Sequence, residues 1–196
     1  MLIAHLLPQP RGFYVDAGAH DPWRYSNTAL LHLRGWRGLN IDADDRAIAR
    51  FNEARPDDIN VHCGVGAAAG EMSFARFTDG AVNSFDPAMA AQQTAAFGEA
   101  EVVRVRIEPL GALMASHVPA GVSIDYLNID CEGLDFDVLQ GHDWQNFAPR
   151  VISVELHGLD LAAPQANPAY QLLREKGYLF RGHYFCTSIF QHLSCL

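Results

Sequence analysis

Four acidic residues close apolar runs along the chain. They are Asp16 in Phe13-Tyr-Val-Asp16, Asp42 in Gly38-Leu-Asn-Ile-Asp42, Asp130 in Tyr126-Leu-Asn-Ile-Asp130, and Glu155 in Val151-Ile-Ser-Val-Glu155. Asp16 is followed by Ala17 and Gly18, and a glycine there lets backbone approach a ligand while the carboxylate orders the loop or accepts from an ammonium group. A strand-capping Asp with a turn Gly is the plainer alternative. Asp42 can accept both hydroxyls of a ribose, or cap a helix. Asp130-Cys-Glu-Gly133 sets two carboxylates around one turn after a buried strand, which fits a general base, a metal ligand or an ammonium partner, and equally a strand-end acid with a helix-initiating Glu. Glu155 with His157 leaves the same alternatives open, because a solitary His is more often structural than catalytic.

The first loop, Asp16-Ala-Gly-Ala-His-Asp21, carries one glycine flanked by acids. A G-x-G-x-x-G loop would let backbone close on a pyrophosphate; this one favours a cofactor with adenosine and no phosphate. Trp23, Trp36 and Trp144 offer stacking surfaces, with core packing as their commoner use.

These acids need a scaffold that brings strand ends together. Residues 26–34 fit a helix with a serine cap and a glycine stop at Gly35, and residues 45–55 carry apolar positions at helical spacing before Pro56. Residues 59–65 read as a third strand. Residues 71–77 and 102–107 alternate as half-exposed strands, and the small and polar residues of Thr78 to Ala100 between them read as a lid or substrate loop, with Asn83-Ser84-Phe85 as its most specific piece. Beyond strands at 123–130 and 151–156, a helix is expected over Pro168 to Lys176, then an antiparallel pair at 178–185 and 187–192. This alternation predicts an α/β fold, a mostly parallel sheet with helices on both faces and one reversed strand near its edge. The acids at 16, 42, 130 and 155 then share the rim at the carboxyl ends of the strands.

The length of 196 residues fits one domain, 1–196. Met1 to Leu7 lacks the basic flank and length of a secretory signal and reads as a short element packed on the domain, so the mature chain is expected to start there. No apolar run approaches the ~20 residues of a membrane helix. A net charge of −9, from 14 Lys+Arg against 23 Asp+Glu, argues against nucleic acid as a partner. Cys63, Cys131, Cys186 and Cys195 form no pattern with structural zinc spacing, and idle thiols fit a cytoplasmic protein.

The segments Phe13 to His20 with Ser26-Asn-Thr28, Gly35 to Asp42, Arg55-Pro-Asp-Asp-Ile-Asn60, Ile124 to Gly133 and Val151 to Glu155 together resemble the FkbM-type methyltransferase family, in order and over most of the chain. The resemblance implies the class I methyltransferase fold, a seven-stranded Rossmann-like sheet, with S-adenosylmethionine as donor and an acceptor that is a small molecule, often a sugar. By position it implies Asp16, Gly18, Ala19 and His20 as the first cofactor loop, Asp42 with Ala43 at the ribose, and Asp130 near the transferred methyl. The expected activity is O-methylation. Asp130, Glu132 and His157 are the candidates for removing the acceptor proton, without a metal by preference and with magnesium as the alternative. A cofactor-binding protein without catalysis is the second expectation and a nicotinamide oxidoreductase the third. The loop departs from the commoner methyltransferase pattern in lacking its second and third glycines. Little chain precedes the first strand, so the roof over the site falls to residues 78–100 or to a second subunit in a homo-oligomer.

Overall fold

The computed structural model describes residues 2–196. Of the element expected over Met1 to Leu7, Met1 lies outside the described residues. Leu2–Leu6 form helix α1, and Leu6 and Leu7 are buried beside Tyr14, Leu31 and Trp36.

Strand β1 (Phe13–Ala17) is the centre of the molecule. It pairs in parallel with β2 (Arg37–Asp42) on one side and β7 (Tyr126–Ile129) on the other. The seven-stranded sheet runs β3-β2-β1-β7-β8-β10-β9, with β3 at Ile59–His62, β8 at Val151–Glu155, β9 at Tyr178–Tyr184 and β10 at Thr187–His192. Strand β10 is antiparallel to both neighbours, so it is the reversed strand expected near the edge. The strand order switches between β1 and β7, because the chain builds outward through β2 and β3 before returning to the other side of β1. The carboxyl ends of β1, β2, β7 and β8 therefore open on one crevice.

The two-residue alternation of strand side chains decides what each face carries. Val15, Ala17, Leu39, Ile41, Leu127 and Ile129 turn to a core closed by α5 (Leu110–His117), α6 (Asp135–Gln140) and α7 (Pro168–Glu175). Their neighbours Tyr14 and Tyr126 turn to the opposite face, against α1 and α2 (Ala29–Leu33). On that face the register aligns Asn60, Asn40, Asp16, Asn128 and Ser153 across five adjacent strands. A row of buried polar groups must find hydrogen-bond partners. Asn128 Nδ2 donates to Asp16 Oδ1 at 2.9 Å, and Asn40 Nδ2 to Asn60 Oδ1 at 2.8 Å.

Several elements differ from the sequence expectation. Helix α2 has its cap position at Thr28, with Ser26 Oγ, two residues earlier, accepting from the Thr28 and Ala29 amides. Helix α3 (Asp45–Ala54) starts under Asp44, whose carboxylate accepts from the Arg46 amide, and stops two residues before Pro56. The strand expected over 59–65 is two strands. The chain breaks at Cys63, and β4 (Gly64–Gly66) leaves for a second sheet, β4-β6-β5, with β5 at Gly70–Arg76 and β6 at Glu101–Pro109. Residues 78–100 are not one loop. They hold a 3-10 turn, Gly80–Val82, and helix α4 (Pro87–Phe97), which Asp86 caps through the Ala88 amide and Pro87 opens. No residue of α4 is buried, so its sequence lacks the apolar stripe that marks a helix.

Candidate active site

A cavity of about 380 Å³ lies in the crevice at the strand ends, within the range of small-molecule sites. All four acids, Asp16, Asp42, Asp130 and Glu155, line it. Gly18, Ala19, His20, Ala43 and Glu132 line it as well. His157 does not, which corrects its placement on the shared rim: its ring is 58% exposed and stands outside, with Nε2 2.9 Å from Glu155 Oε2. The chain turns outward at the end of β8, and a residue two positions past Glu155 follows it to solvent.

Asp42 is held by two backbone amides. Its Oδ2 accepts from the His20 amide at 2.8 Å and its Oδ1 from the Asp44 amide at 2.7 Å, so one carboxylate clips the β1 loop to the β2 loop. Burial pushes it up to about 6, opposed by those two amide donors. Asp16 is deeper and occupied, accepting from Thr28 Oγ1 at 2.7 Å and from Asn128 Nδ2. Burial raises it too.

Gly18 lines the cavity and also serves a packing need. Its φ is +76°, and a Cβ built there would lie 1.7 Å from the carbonyl oxygen of Asp130. The missing side chain lets the β1 loop pass against the end of β7, which holds the two cavity loops in contact. His20 and Glu132 also sit at positive φ, +56° and +51°, values that cost non-glycine residues energy. These turns bring the Glu132 carboxylate and the His20 ring to the cavity. The buried His20 Nε2 has no hydrogen-bond partner, and burial lowers the ring's basicity.

Asp130 and Glu132 are two strongly perturbed carboxyls that line the cavity. Burial first, then the fields of Glu155, Glu132, Asp135 and Asp16, push Asp130 up to about 9. Burial and the fields of Glu155, Asp135 and Asp42 push Glu132 up to about 8. Asp135 opens α6 and accepts from the Cys131 amide at 2.9 Å, which fixes the turn carrying both. Carboxyls held above neutrality in a cleft mark a place for proton transfer or for a cation.

Sequence reasoning missed the group that braces the first loop. Arg55 is fully buried. Its Nη1 donates to Thr28 Oγ1 at 2.9 Å and to Tyr14 Oη at 3.0 Å, and its Nη2 donates to the Pro22 carbonyl and to Ser26 Oγ. Its signals were a place in the Arg55 to Asn60 segment that resembles the family and a position between a helix end and Pro56, neither of which points to a buried brace. Asn83 and Phe85 from the expected lid line the cavity, and Asn83 Nδ2 donates to Asp44 Oδ2 at 3.3 Å. Phe185 and Cys186, at the β9–β10 turn, complete the wall. The three tryptophans do not reach it: Trp36 and Trp144 pack in the interior and Trp23 stands half exposed over Arg55.

The methyltransferase FkbM domain family matches residues 16–180. The chain belongs to the FkbM methyltransferase family. A solved methyltransferase FkbM from Methylobacillus flagellatus KT shares the fold, with a TM-score of 0.53 at 14% identity, covering 93% of this chain. This chain spans 44% of the length of that protein. Among curated proteins none matches. The FkbM match runs from Asp16 to Phe180 and so takes in every acid of the cavity. Among the described residues of this FkbM-family chain, no helix is long and apolar enough to cross a membrane.

Proposed function

We propose that the chain transfers a methyl group from S-adenosylmethionine to a hydroxyl of a small-molecule acceptor, with a sugar as the favoured class. The observation that carries this reading is one cavity joining a ribose-type acid after β2 to a pair of high-pKa carboxyls after β7. Asp42 would accept from the ribose hydroxyls, beside Ala43. Gly18, Ala19 and His20 would line the donor, with Asp16 bracing their loop from behind. The cavity fits such a donor in its lack of a phosphate cradle and in its excess of carboxylate over cation.

The donor supplies an activated sulfonium methyl. The protein's part is to align the acceptor oxygen and remove its proton. Asp130 and Glu132 are placed for that removal. As carboxyls near 9 and 8 they are strong bases once ionised, and a cation in the cavity favours the ionised form. His157, outside the cavity, is assigned no proton transfer. Metal-free base catalysis by the two carboxyls remains the preferred mechanism. The test is a panel of acceptors with labelled methyl donor: label incorporated into a hydroxyl-bearing acceptor supports the reading, and donor binding without transfer to any acceptor class leaves a binding protein instead.

Asp42→Asn is expected to weaken S-adenosylmethionine and its demethylated product alike, by about 1–3 kcal/mol each, since hydrogen bonds to a charged acceptor are lost in both. Calorimetry on the folded variant checks this. Equal affinity in parent and variant would remove Asp42 from the ribose.

The same residue gives the binding a pH dependence. The ionised carboxylate is the acceptor, and its pKa is raised to about 6, so affinity is expected to fall as pH drops through 6 rather than through the ordinary carboxylate range near ~4. The gap between parent and Asp42→Asn should narrow over the same interval. A parent affinity flat between pH 7 and 5, set in the same calorimeter, would contradict this.

A further inference from the structure

The antiparallel pairing of β10 with β8 sets Thr187 opposite Glu155, and so brings the β9–β10 turn against the end of β8. The Leu156 amide donates to the Cys186 carbonyl at 2.7 Å and pins the two segments together. One ligand atom from each of Glu155, His157 and Cys186 then lies within 4.8 Å of the other two. No spacing in the sequence announces this trio, because strand register assembles it. The set of Asp130, Glu132 and His157, for which magnesium was the alternative, does not converge in this way.

We propose that Glu155, His157 and Cys186 bind a zinc ion, with a fourth coordination position left open at the edge of the cavity. One sulfur, one nitrogen and one oxygen donor is a zinc ligand set, and three protein ligands with one vacancy is the pattern of zinc sites that also take a small ligand. Zinc bonds of about 2.0–2.3 Å in a tetrahedron set ligand atoms roughly 3.3–3.8 Å apart. The trio brackets that spacing: Glu155 Oε2 and His157 Nε2 stand 2.9 Å apart, and no pair exceeds 4.8 Å. Modest side-chain rotation closes the set.

Two further observations favour a cation here. Glu155 Oε2 is buried and makes no hydrogen bond, although His157 Nε2 is near, so the two atoms converge without serving each other. The charged groups acting on Cys186 are Glu155 and Asp130, both negative. Two charges on zinc would balance the thiolate and the Glu155 carboxylate. Glu155 and Cys186 belong to the cavity wall and His157 to the solvent side, so the ion would sit at the rim and tie the turn carrying Phe185 to the end of β8. The ligand for the open position is water or an oxygen of a molecule in the cavity.

The test uses the full chain after chelation, with no methyl donor or acceptor, so its outcome does not depend on the methyl-transfer reading. Cobalt is titrated as the spectroscopic stand-in for zinc. Expected are a saturating thiolate-to-cobalt charge-transfer band with tetrahedral visible absorption, and its bleaching by zinc but not by magnesium. Cys186→Ser should abolish the charge-transfer band. His157→Ala, at an exposed position that leaves the fold intact, should lower cobalt affinity at least about tenfold. No charge-transfer band in the folded parent, or a band of parental intensity in Cys186→Ser, would overturn the proposal.

Discussion

Asp130→Asn is expected to lower kcat on an identified acceptor by about 10²–10⁴-fold, the range for loss of a general base. The variant should remain folded, because an amide of the same shape replaces a group whose charge the fold opposes. Burial and the neighbouring carboxylates raise Asp130 to about 9. A group whose folded pKa lies above its unfolded one, near ~4, costs stability as pH rises from ~4 towards 9. In chelated protein, parent and variant should therefore melt alike at pH 4, and the variant should be the more stable at pH 8. Turnover at the parental rate would make Asp130 a structural residue. A variant that loses both fold and turnover would mean that Asp130 holds the turn after β7, and the proton would then fall to Glu132.

What was legible in the sequence was whatever repeats along it. Strand ends with a carboxylate recur at Asp16, Asp42, Asp130 and Glu155, and the parallel fold that collects such ends into one crevice follows from strand-helix alternation. Helix α3 was readable because Ile48, Ala49 and Phe51 fall at helical spacing and Pro56 limits it, while its Asp44 cap emerged only in the structure. Helix α4 was not, since its small residues bury nothing and present no stripe. The break at Cys63 was hidden for the opposite reason: residues on both sides suit strands, and only the second sheet pulls Gly64–Gly66 away from the first.

The polar row was hidden in plain sight. Asn40, Asn128 and Ser153 each interrupt a buried strand two residues before its acid. Read separately they are blemishes in apolar runs. The register sets them in one row with Asp16, which Asn128 and through it Ser153 reach by hydrogen bonds while Asn40 turns to Asn60 and Asp58, and contacts of that kind depend on strand order, which spacing alone does not supply. His157 shows the reverse error. Its distance along the chain from Glu155 is short and their side chains meet at the rim, but the turn after β8 leaves His157 on the solvent side while Glu155 lines the cavity.

Arg55→Met is expected to destabilise the fold by about 3–5 kcal/mol, the cost of removing one partner from a buried charged network. The methionine fills the space but leaves several oxygens without a donor. Thr28 Oγ1, Ser26 Oγ, Tyr14 Oη and the Pro22 carbonyl all lose the guanidinium. One buried acid, Asp16, loses a cation whose charge favours its ionised form, and Tyr14, which donates its hydroxyl to Asp58, loses the guanidinium that donates to it. The rings of Phe51 and Trp23, at 5.0 and 5.4 Å from the guanidinium carbon, lose a cation over their faces. Because residues 22–28 follow the first cavity loop directly, donor affinity should fall along with stability. Arg55→Lys keeps the charge but has no planar fork to span four acceptors, so it should lie between parent and methionine. Urea denaturation of the three proteins measures the order. If Met costs less than about 1 kcal/mol, a value typical of surface changes, the arginine does not brace the loop and Thr28 with Asn128 holds Asp16 unaided.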